Sequence, residues 1–333
     1  MTGIDSLLIP AVLFFVLGVF AKLIHSDLKF PDGMTKGISL YLLMAIGLKG
    51  GAELAKADLL VALNAIFWAF VMGFLIPLLG YVILRFRDRI DAMNAAAITA
   101  HYGSVSAGTF LTAIAFLDAT KEAYETYPII MMVIMETPAI VVGLVLAAMA
   151  RKKLAAAQAG AGTDDAPSIE WKPLLHEALT NGSVILLLGA MIIGAIASPQ
   201  SMEKIHPFIY DIFMGVLCLF LLDMGMEAAK RLKEFKRVGA YLVAFGIIMP
   251  LLGGTIGVII GAIILDFSAG GTLLVAILGA SASYIAVPPA MRYGVPEANP
   301  SYYLTLALGV TFPFNVVVGI PLFYQMAVWM TGS

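Results

Sequence analysis

Long apolar stretches separated by short polar segments run through the whole chain. Because a membrane-spanning helix needs roughly 20 mainly apolar residues, this pattern predicts an all-α membrane protein with ten transmembrane helices. Glycine and proline interrupt several of the stretches, so hydropathy alone gives nine to eleven. The predicted spans are 5–25, 37–54, 59–84, 92–117, 127–150, 177–198, 207–228, 238–265, 271–290 and 301–330.

The composition supports this prediction and excludes several classes of function. Of the 333 residues, 61% are hydrophobic and 13% are charged, whereas soluble domains are about half apolar and about a quarter charged. The net charge of −2 offers no basic surface for nucleic acid. The single cysteine, Cys218, excludes an internal disulfide and a cysteine metal cluster. The sequence shows no Ser-His-Asp grouping and no nucleotide-binding loop, so we expect no enzyme activity and no covalent cofactor.

Lysine and arginine are distributed unevenly between alternate connections. Of the 20 basic residues, sixteen fall in one set of connections and three in the other. Because cytoplasmic loops carry an excess of Lys and Arg, the richer set is predicted to be cytoplasmic. This orientation places both termini outside and the small, polar segment 151–176 in the cytoplasm. The first apolar stretch lacks a basic leader and a cleavage site, so we expect it to remain as a span.

The two halves of the chain resemble each other. Four short motifs recur in the same order, and the second copy follows the first by 173 to 177 residues. The pairs are GGAELAK (50–56) with MGMEAAK (224–230), PLLG (77–80) with PLLG (250–253), SVS (104–106) with SAS (281–283), and PAIVVG (138–143) with PFNVVVG (313–319). The sequence therefore predicts a first repeat over 1–150, a linker over 151–176 and a second repeat over 177–333.

Each predicted repeat holds five spans, and this odd number has a topological consequence. The second repeat must enter the membrane from the opposite side, so the two repeats are inverted. Inverted repeats related by an axis in the membrane plane are typical of secondary transporters, which hold substrate near the midplane between discontinuous helices.

Spans 4 and 9 are predicted to be broken helices. Span 4 contains Gly103 and Gly108, which weaken a helix, and span 9 contains Pro288 and Pro289, which cannot donate backbone hydrogen bonds. A break leaves N–H groups that attract anions at one end and carbonyl groups that attract cations at the other. Unpaired backbone is tolerated at membrane depth where protein or a water-filled cavity surrounds it.

Small hydroxylated residues cluster at both predicted breaks and form the candidate substrate site. A hydroxyl both donates and accepts hydrogen bonds, which suits a small oxyanion. The alternative is that serine and glycine simply allow helices to pack closely. The candidate substrate-binding residues are Gly103, Ser104, Ser106, Thr109, Gly279, Ser281, Ser283 and Tyr284.

A second set of polar residues is a candidate for cation coupling. Glu136 lies well inside span 5, where an acid is a functional candidate by default, although it could instead be a buried packing acid. Asn315 lies at a similar place in span 10, and Ser283 could contribute its oxygen. We expect a Na+ site near Ser104 and Ser283. His101 is isolated, which favours a structural role.

Several motifs resemble those of the sodium-dependent bicarbonate symporters, which are described in cyanobacteria and found more widely in bacteria. The resemblance runs nearly from end to end, and the Pro-Pro…Arg-x-Gly-x-Pro-x-Ala-Asn-Pro-Ser string is its most distinctive part. The motifs are IGLKGG (46–51), SVSAGT (104–109), MGMEA (224–228), PPAMRYGVPEANPS (288–301) and GIPLF (319–323).

The resemblance implies a ten-span fold with a core and a gate domain that moves bicarbonate together with Na+. It also implies a homotrimer in the bacterial plasma (inner) membrane and a PII-like regulator docking from the cytoplasm. In the family, the two serine-rich breaks hold the anion and neighbouring Na+. These roles correspond here to Ser104, Ser106 and Thr109, and to Ser281 and Ser283.

The chain departs from this family pattern at two positions. The best-known members have aspartate directly after the second serine run, where this chain has Tyr284, and an aspartate in span 5, where it has Glu136. Loss of the first acid removes a candidate ligand for a cation. A proton-coupled or organic-anion carrier of the same fold therefore stays open, as does an anion channel.

Overall fold

A computed structural model describes residues 9–31, 33–159, 182–232 and 238–332, and these residues are almost entirely helical. Within them, six helices are long and apolar enough to cross a membrane. The helices are α1 (Pro10–Leu23), α2 (Met34–Leu54), α3 (Leu59–Arg85), α4 (Ala92–Gly103), α5 (Ala107–Thr120), α6 (Tyr127–Ala159), α7 (Gly182–Ile196), α8 (Pro199–Arg231), α9 (Ala240–Ile264), α10 (Ala269–Ala280), α11 (Val287–Gly294) and α12 (Pro300–Thr331).

The six long helices are α2, α3, α6, α8, α9 and α12, and each coincides with one predicted span. Helices α1 and α7 are shorter, and the predicted spans around them extend into residues 1–8 and 177–181, which lie outside the described part. Predicted spans 4 and 9 each correspond to two helices, α4 with α5 and α10 with α11. By length and composition alone, the structure supports six spans.

Short polar side chains fix where several of these helices begin. The carboxylate of Asp58 accepts hydrogen bonds from the N–H groups of the first turn of α3, and Asp91 does the same for α4. Ser268 caps α10 through its hydroxyl. Each cap satisfies N–H groups that have no partner inside the helix, which is why these sequences start helices at these residues.

The predicted linker, 151–176, begins inside a helix. Helix α6 continues through Ala159, so the first nine residues of that segment are helical. The remaining residues, 160–176, lie outside the described part of the chain.

Large apolar side chains cover the outer surface of several helices. Phe20 on α1, Phe67 and Val82 on α3 and Ile192 on α7 are all more than half exposed. Apolar surface of this extent would be unstable in water but is the favourable surface in a lipid bilayer. The exposure pattern therefore agrees with a multi-pass membrane protein.

Helices α1 and α8 pack so closely that two glycines are required at their contact. A Cβ atom on Gly18 would lie 2.0 Å from the carbonyl oxygen of Leu222, and one on Gly225 would lie 2.1 Å from that of Phe15. Because real Cβ atoms do not approach backbone so closely, any larger residue would push the helices apart.

Helices α2 and α7 make a second contact of the same kind. A Cβ atom on Gly51 would lie 1.9 Å from the carbonyl oxygen of Met191, and one on Gly194 would lie 2.2 Å from that of Leu48. Small residues at such crossings let helix backbones approach closely in membrane proteins.

Two further groups of three helices match each other. In one group α3, α4 and α6 pack against one another, and in the other α9, α10 and α12 do. Helix α12 contains two π-helical segments, Thr305–Thr311 and Asn315–Gly319. Such segments often accompany functional sites, because they re-aim side chains and free backbone groups.

Candidate functional site

The first interruption lies between α4 and α5. Helix α4 ends at Gly103, Ser104 adopts an extended backbone with φ −90° and ψ −172°, and α5 starts at Ala107. Ser106 is the N-cap of α5, and its hydroxyl oxygen accepts a hydrogen bond from the Thr109 N–H at 3.2 Å. The helix is therefore interrupted for three residues, and the C-terminus of α4 lies close to the N-terminus of α5.

The second interruption lies between α10 and α11. Helix α10 ends at Ala280, Ser281 is extended with φ −89° and ψ 167°, and α11 begins at Val287. Pro288 and Pro289 occupy the first turn of α11. Proline is well tolerated there, because the first N–H groups of a helix have no partner within it.

Hydrogen bonds join the two interruptions directly. The N–H of Ser283 donates to the carbonyl oxygen of His101 at 2.8 Å, and the N–H of Ser106 donates to the hydroxyl oxygen of Ser281 at 3.0 Å. All four residues are buried. The two serine motifs, which lie 177 residues apart in the sequence, therefore form one polar centre.

The local hydrogen bonds leave the hydroxyl hydrogens of Ser106 and Ser283 free to donate. Ser106 Oγ accepts from both the N–H and the hydroxyl of Thr109, the latter at 2.9 Å. Ser283 Oγ accepts from the Val287 N–H at 3.4 Å. Since a hydroxyl has one donor and two acceptor positions, each serine can direct its hydrogen towards an acceptor.

A narrow pocket, which we call the central pocket, borders both interruptions and has a cavity volume of about 20 Å³. Ser106, Ser283, Tyr284 and Glu136 line it, together with the neighbouring backbone. Four of the residues predicted from sequence are thus brought to one pocket.

Two of the predicted glycines pack against neighbouring helices. A Cβ atom on Gly103 would lie 2.5 Å from the ring of Pro77, and one on Gly279 would lie 2.3 Å from the carbonyl oxygen of Gly253. Both glycines therefore permit close approach of helices, as in the packing alternative considered from the sequence.

The sequence as a whole carries the signature of one protein family. Residues 10–328 match the Na+-dependent bicarbonate transporter superfamily. The chain belongs to this superfamily. The match confirms the resemblance seen in the sequence motifs, and it indicates a transporter rather than an enzyme. The comparison with curated proteins gives no match.

In this member of the superfamily, Glu136 brings an acid to the central pocket from α6. Its Oε2 atom is buried without a hydrogen-bond partner among the described residues. The described residues that line the pocket include no Lys, Arg or His. The carboxyl group therefore has no basic neighbour in the pocket and is open to a proton or a cation.

Three further oxygen atoms in this transporter are buried without a partner in the described structure. One is the Tyr284 hydroxyl, and the other two lie at helix C-termini. Ser104 follows the last residue of α4, and its Oγ is one of these atoms. Asn315 donates its Nδ2–H to the carbonyl oxygen of Ala280, the last residue of α10, at 2.8 Å, which leaves its Oδ1 free. Helix C-termini carry partial negative charge, so these positions favour a cation.

Other intramembrane polar residues have structural partners away from the pocket. The ring of His101 bonds through Nδ1 to the carbonyl oxygen of Ala97 at 2.7 Å and stacks on Tyr303 at 4.3 Å. Asp223 accepts from the hydroxyl of Thr35 at 2.6 Å. The Nε2 atom of His101 is buried without a partner among the described residues, so the structural role of His101 stays a prediction.

Sequence reasoning missed the apolar wall of the central pocket. Helices α2, α6 and α7 supply it, and its side chains are Leu43, Met132, Val133, Val184 and Leu187. An apolar residue within an apolar helix gives no sequence signal of its own, because lipid-facing and pocket-facing positions look alike.

Proposed function

We propose that this protein is a secondary active transporter that carries bicarbonate together with Na+ by alternating access. The anion binds in the central pocket between the two helix interruptions, near the middle of the membrane. The observation that carries the proposal is the joining of two serine-rich interruptions, one from each half of the chain, at one pocket.

The proposed anion site consists of hydroxyl and backbone N–H groups, which donate hydrogen bonds but carry no full positive charge. The free hydroxyl hydrogens of Ser106 and Ser283 point to a hydrogen-bond acceptor as ligand, and the N-terminus of α5 adds backbone N–H groups and the positive end of the helix dipole. Helix α11 contributes less backbone, because Pro288 and Pro289 have no N–H. A small oxyanion such as bicarbonate fits this arrangement.

The coupling site for Na+ is proposed beside the anion, at the two helix C-termini. Sodium is a hard cation that prefers oxygen ligands, and Ser104 Oγ and Asn315 Oδ1 are both available. Among the described residues, no cluster of three His, Cys, Asp or Glu side chains could hold a metal ion. Neutral hydroxyl, amide and carbonyl oxygens are therefore the proposed ligands.

The glycine contacts support an arrangement of two equivalent halves. Shifting residue numbers by 174 to 176 converts the α1–α8 contact into the α7–α2 contact. Under this shift Gly18 corresponds to Gly194, Leu222 to Leu48, Gly225 to Gly51, and Phe15 to Met191. Because each half supplies one partner to both contacts, we propose two five-span repeats, 1–150 and 177–333, in inverted orientation.

This arrangement gives ten spans. In this count α4 and α5 together form one broken span, and α10 and α11 together form another. We propose that the helices divide into a core domain and a gate domain, since α1 packs mainly on α8 and α2 packs mainly on α7. The core consists of α3 to α6 and α9 to α12, and the gate of α1, α2, α7 and α8. In alternating access, the gate would move relative to a core that holds the substrates.

The proposed membrane location and orientation follow from the uneven distribution of Lys and Arg and from the family resemblance. We place the protein in a bacterial plasma membrane with both termini outside and 151–176 in the cytoplasm. A homotrimer and a PII-like cytoplasmic regulator are proposed from the resemblance alone.

A proton-coupled carrier is the second candidate, and Glu136 is the observation that favours it. Its unpartnered Oε2 lines the central pocket, so a proton could replace Na+ as the coupling ion. A small organic anion would then be an alternative substrate.

Uptake of labelled bicarbonate into proteoliposomes tests the proposal. We expect an inward Na+ gradient to drive accumulation, and an equal K+ gradient at the same pH to give none. Accumulation that ignores Na+ and follows a pH gradient would contradict Na+ coupling and support the proton-coupled carrier. Large single-channel currents would contradict alternating access altogether.

A further inference from the structure

The N-terminus of α5 is already occupied by a group of the protein itself. Tyr284 extends from the second interruption so that its hydroxyl lies against Gly108, in the first turn of α5. This is the end of α5 to which we assign the anion. The inference below therefore rests on the proposed function.

Gly108 makes this close contact possible. A Cβ atom at position 108 would lie 2.3 Å from the Tyr284 hydroxyl oxygen and 2.8 Å from the ring of Phe220. The ring of Phe312 meets the Tyr284 ring edge to face, at 5.8 Å between centroids. Neighbouring groups therefore contact the Tyr284 phenol on several sides, and its oxygen lies at the N-terminus of α5.

Tyr284 also separates two pockets. With Ile285 it lines the central pocket and a second pocket, which we call the Lys36 pocket because Thr35 and Lys36 border it. The residue is partly exposed, while its hydroxyl oxygen is buried. The ring thus forms part of the wall between the two pockets, and the hydroxyl reaches inward.

We propose that the Tyr284 hydroxyl is an internal ligand of the anion site, and that a bound anion must displace it. An oxygen atom that lies against the first turn of α5, as the Tyr284 hydroxyl does at Gly108, occupies a position that an oxyanion would take. Displacing it moves the ring that stands between the central pocket and the Lys36 pocket. Tyr284 therefore sets the affinity for the anion and controls access from the Lys36 pocket.

Removal of the hydroxyl alone tests the first part of this proposal. Tyr284→Phe keeps the ring but removes the competing oxygen, so the apparent KM for bicarbonate should fall about fivefold, the equivalent of one ordinary hydrogen bond. Tyr241→Phe is the matched control, because the Tyr241 hydroxyl bonds to the carbonyl oxygen of Ile83, outside the site. An unchanged or higher KM in Tyr284→Phe would overturn the proposal.

Thiol labelling tests the second part without any substrate. Ala107→Cys, in a Cys218→Ala background, places a thiol on the wall of the central pocket. Adding Tyr284→Ala should speed its labelling by an impermeant reagent from one side of the membrane, whereas adding Tyr284→Phe, which keeps the ring, should not. Equal rates with all three side chains would overturn the gating role. Failure of the unmodified protein to transport bicarbonate would instead contradict the proposed function.

Discussion

The donor and acceptor roles of single hydroxyl groups decide what the central pocket can bind. Thr109 gives two hydrogen bonds to Ser106 Oγ and so fixes the direction of the Ser106 hydroxyl hydrogen. Thr109 is fully buried and does not line the pocket. It is therefore a positioning residue, which acts on the anion through Ser106.

Substitution of Thr109 tests this positioning role. Thr109→Val keeps the shape but removes the hydroxyl bond to Ser106, so we expect the apparent KM for bicarbonate to rise about threefold to tenfold. Thr109→Ser restores the hydroxyl and should restore the KM. Initial rates of uptake against bicarbonate concentration provide the measurement, and equal KM values for the Val and Ser variants would exclude the role.

Glu136 is the residue at which the two coupling schemes differ. Glu136→Gln removes the titratable group while keeping an oxygen in the pocket. If Na+ is held at the two helix C-termini, Na+-driven uptake should persist in this variant with a modest loss of rate. Complete loss of gradient-driven uptake, with exchange of bicarbonate at equilibrium retained, would assign coupling to Glu136.

At the scale of helices, close contacts at glycine hold the proposed gate together. Gly225 and Gly215 both lie on α8, but a Cβ atom on Gly225 would lie 2.1 Å from the carbonyl oxygen of Phe15, whereas one on Gly215 would meet nothing within 4 Å. The two positions therefore form a matched pair within one helix.

Alanine at these two positions should have opposite effects on thermal stability in detergent. Gly225→Ala should destabilise the protein by about 1–3 kcal/mol, because it forces α1 and α8 apart. Gly215→Ala should be neutral or stabilise by up to about 1 kcal/mol, because alanine favours helix. Equal unfolding temperatures for the two variants would contradict the packing described for α1 and α8.

The distinctive PPAMRYGVPEANPS motif ties helix ends together. Arg151 on α6 donates to both carboxylate oxygens of Glu297, at 2.7 and 2.6 Å, and to the carbonyl oxygen of Gly294 at the end of α11. The N–H of Asn299 donates to the side chain of Asn94 on α4. The motif therefore anchors the second interrupted helix to the first half of the chain.

The Arg151–Glu297 pair predicts a pH dependence of stability. Its hydrogen bonds hold the pKa of Glu297 below the usual value, so the pair stabilises the fold above the unfolded pKa of about 4.3 and loses this effect as pH falls through the lowered pKa. Because Glu297 is nearly half exposed, the effect should stay below about 1 kcal/mol.

Thermal unfolding of Glu297→Gln against pH provides the check. The variant should be slightly less stable than the unmodified protein at pH 7, and the two should converge in acid. A difference that grows as the pH falls would contradict the ion pair.

For the molecule as a whole, the sequence predicted polar chemistry better than apolar packing. The serine motifs could be recognised because closely spaced hydroxyl groups stand out in an apolar helix, and their matching spacing linked them. The contact of Tyr284 with Gly108 could not be predicted, because it depends on how two interruptions distant in sequence cross. Helices α1 and α7 each end two residues before the end of the predicted span, since hydropathy does not mark where a short helix stops.

Direct binding of labelled bicarbonate to the purified protein tests the central claim most directly. In the presence of Na+, the unmodified protein and Thr255→Ala, which loses only a hydroxyl bonded to its own helix, should bind the anion saturably. The double variant Ser106→Ala/Ser283→Ala should lose that binding while keeping its unfolding temperature. Undiminished binding by the double variant would contradict an anion site between the two helix interruptions.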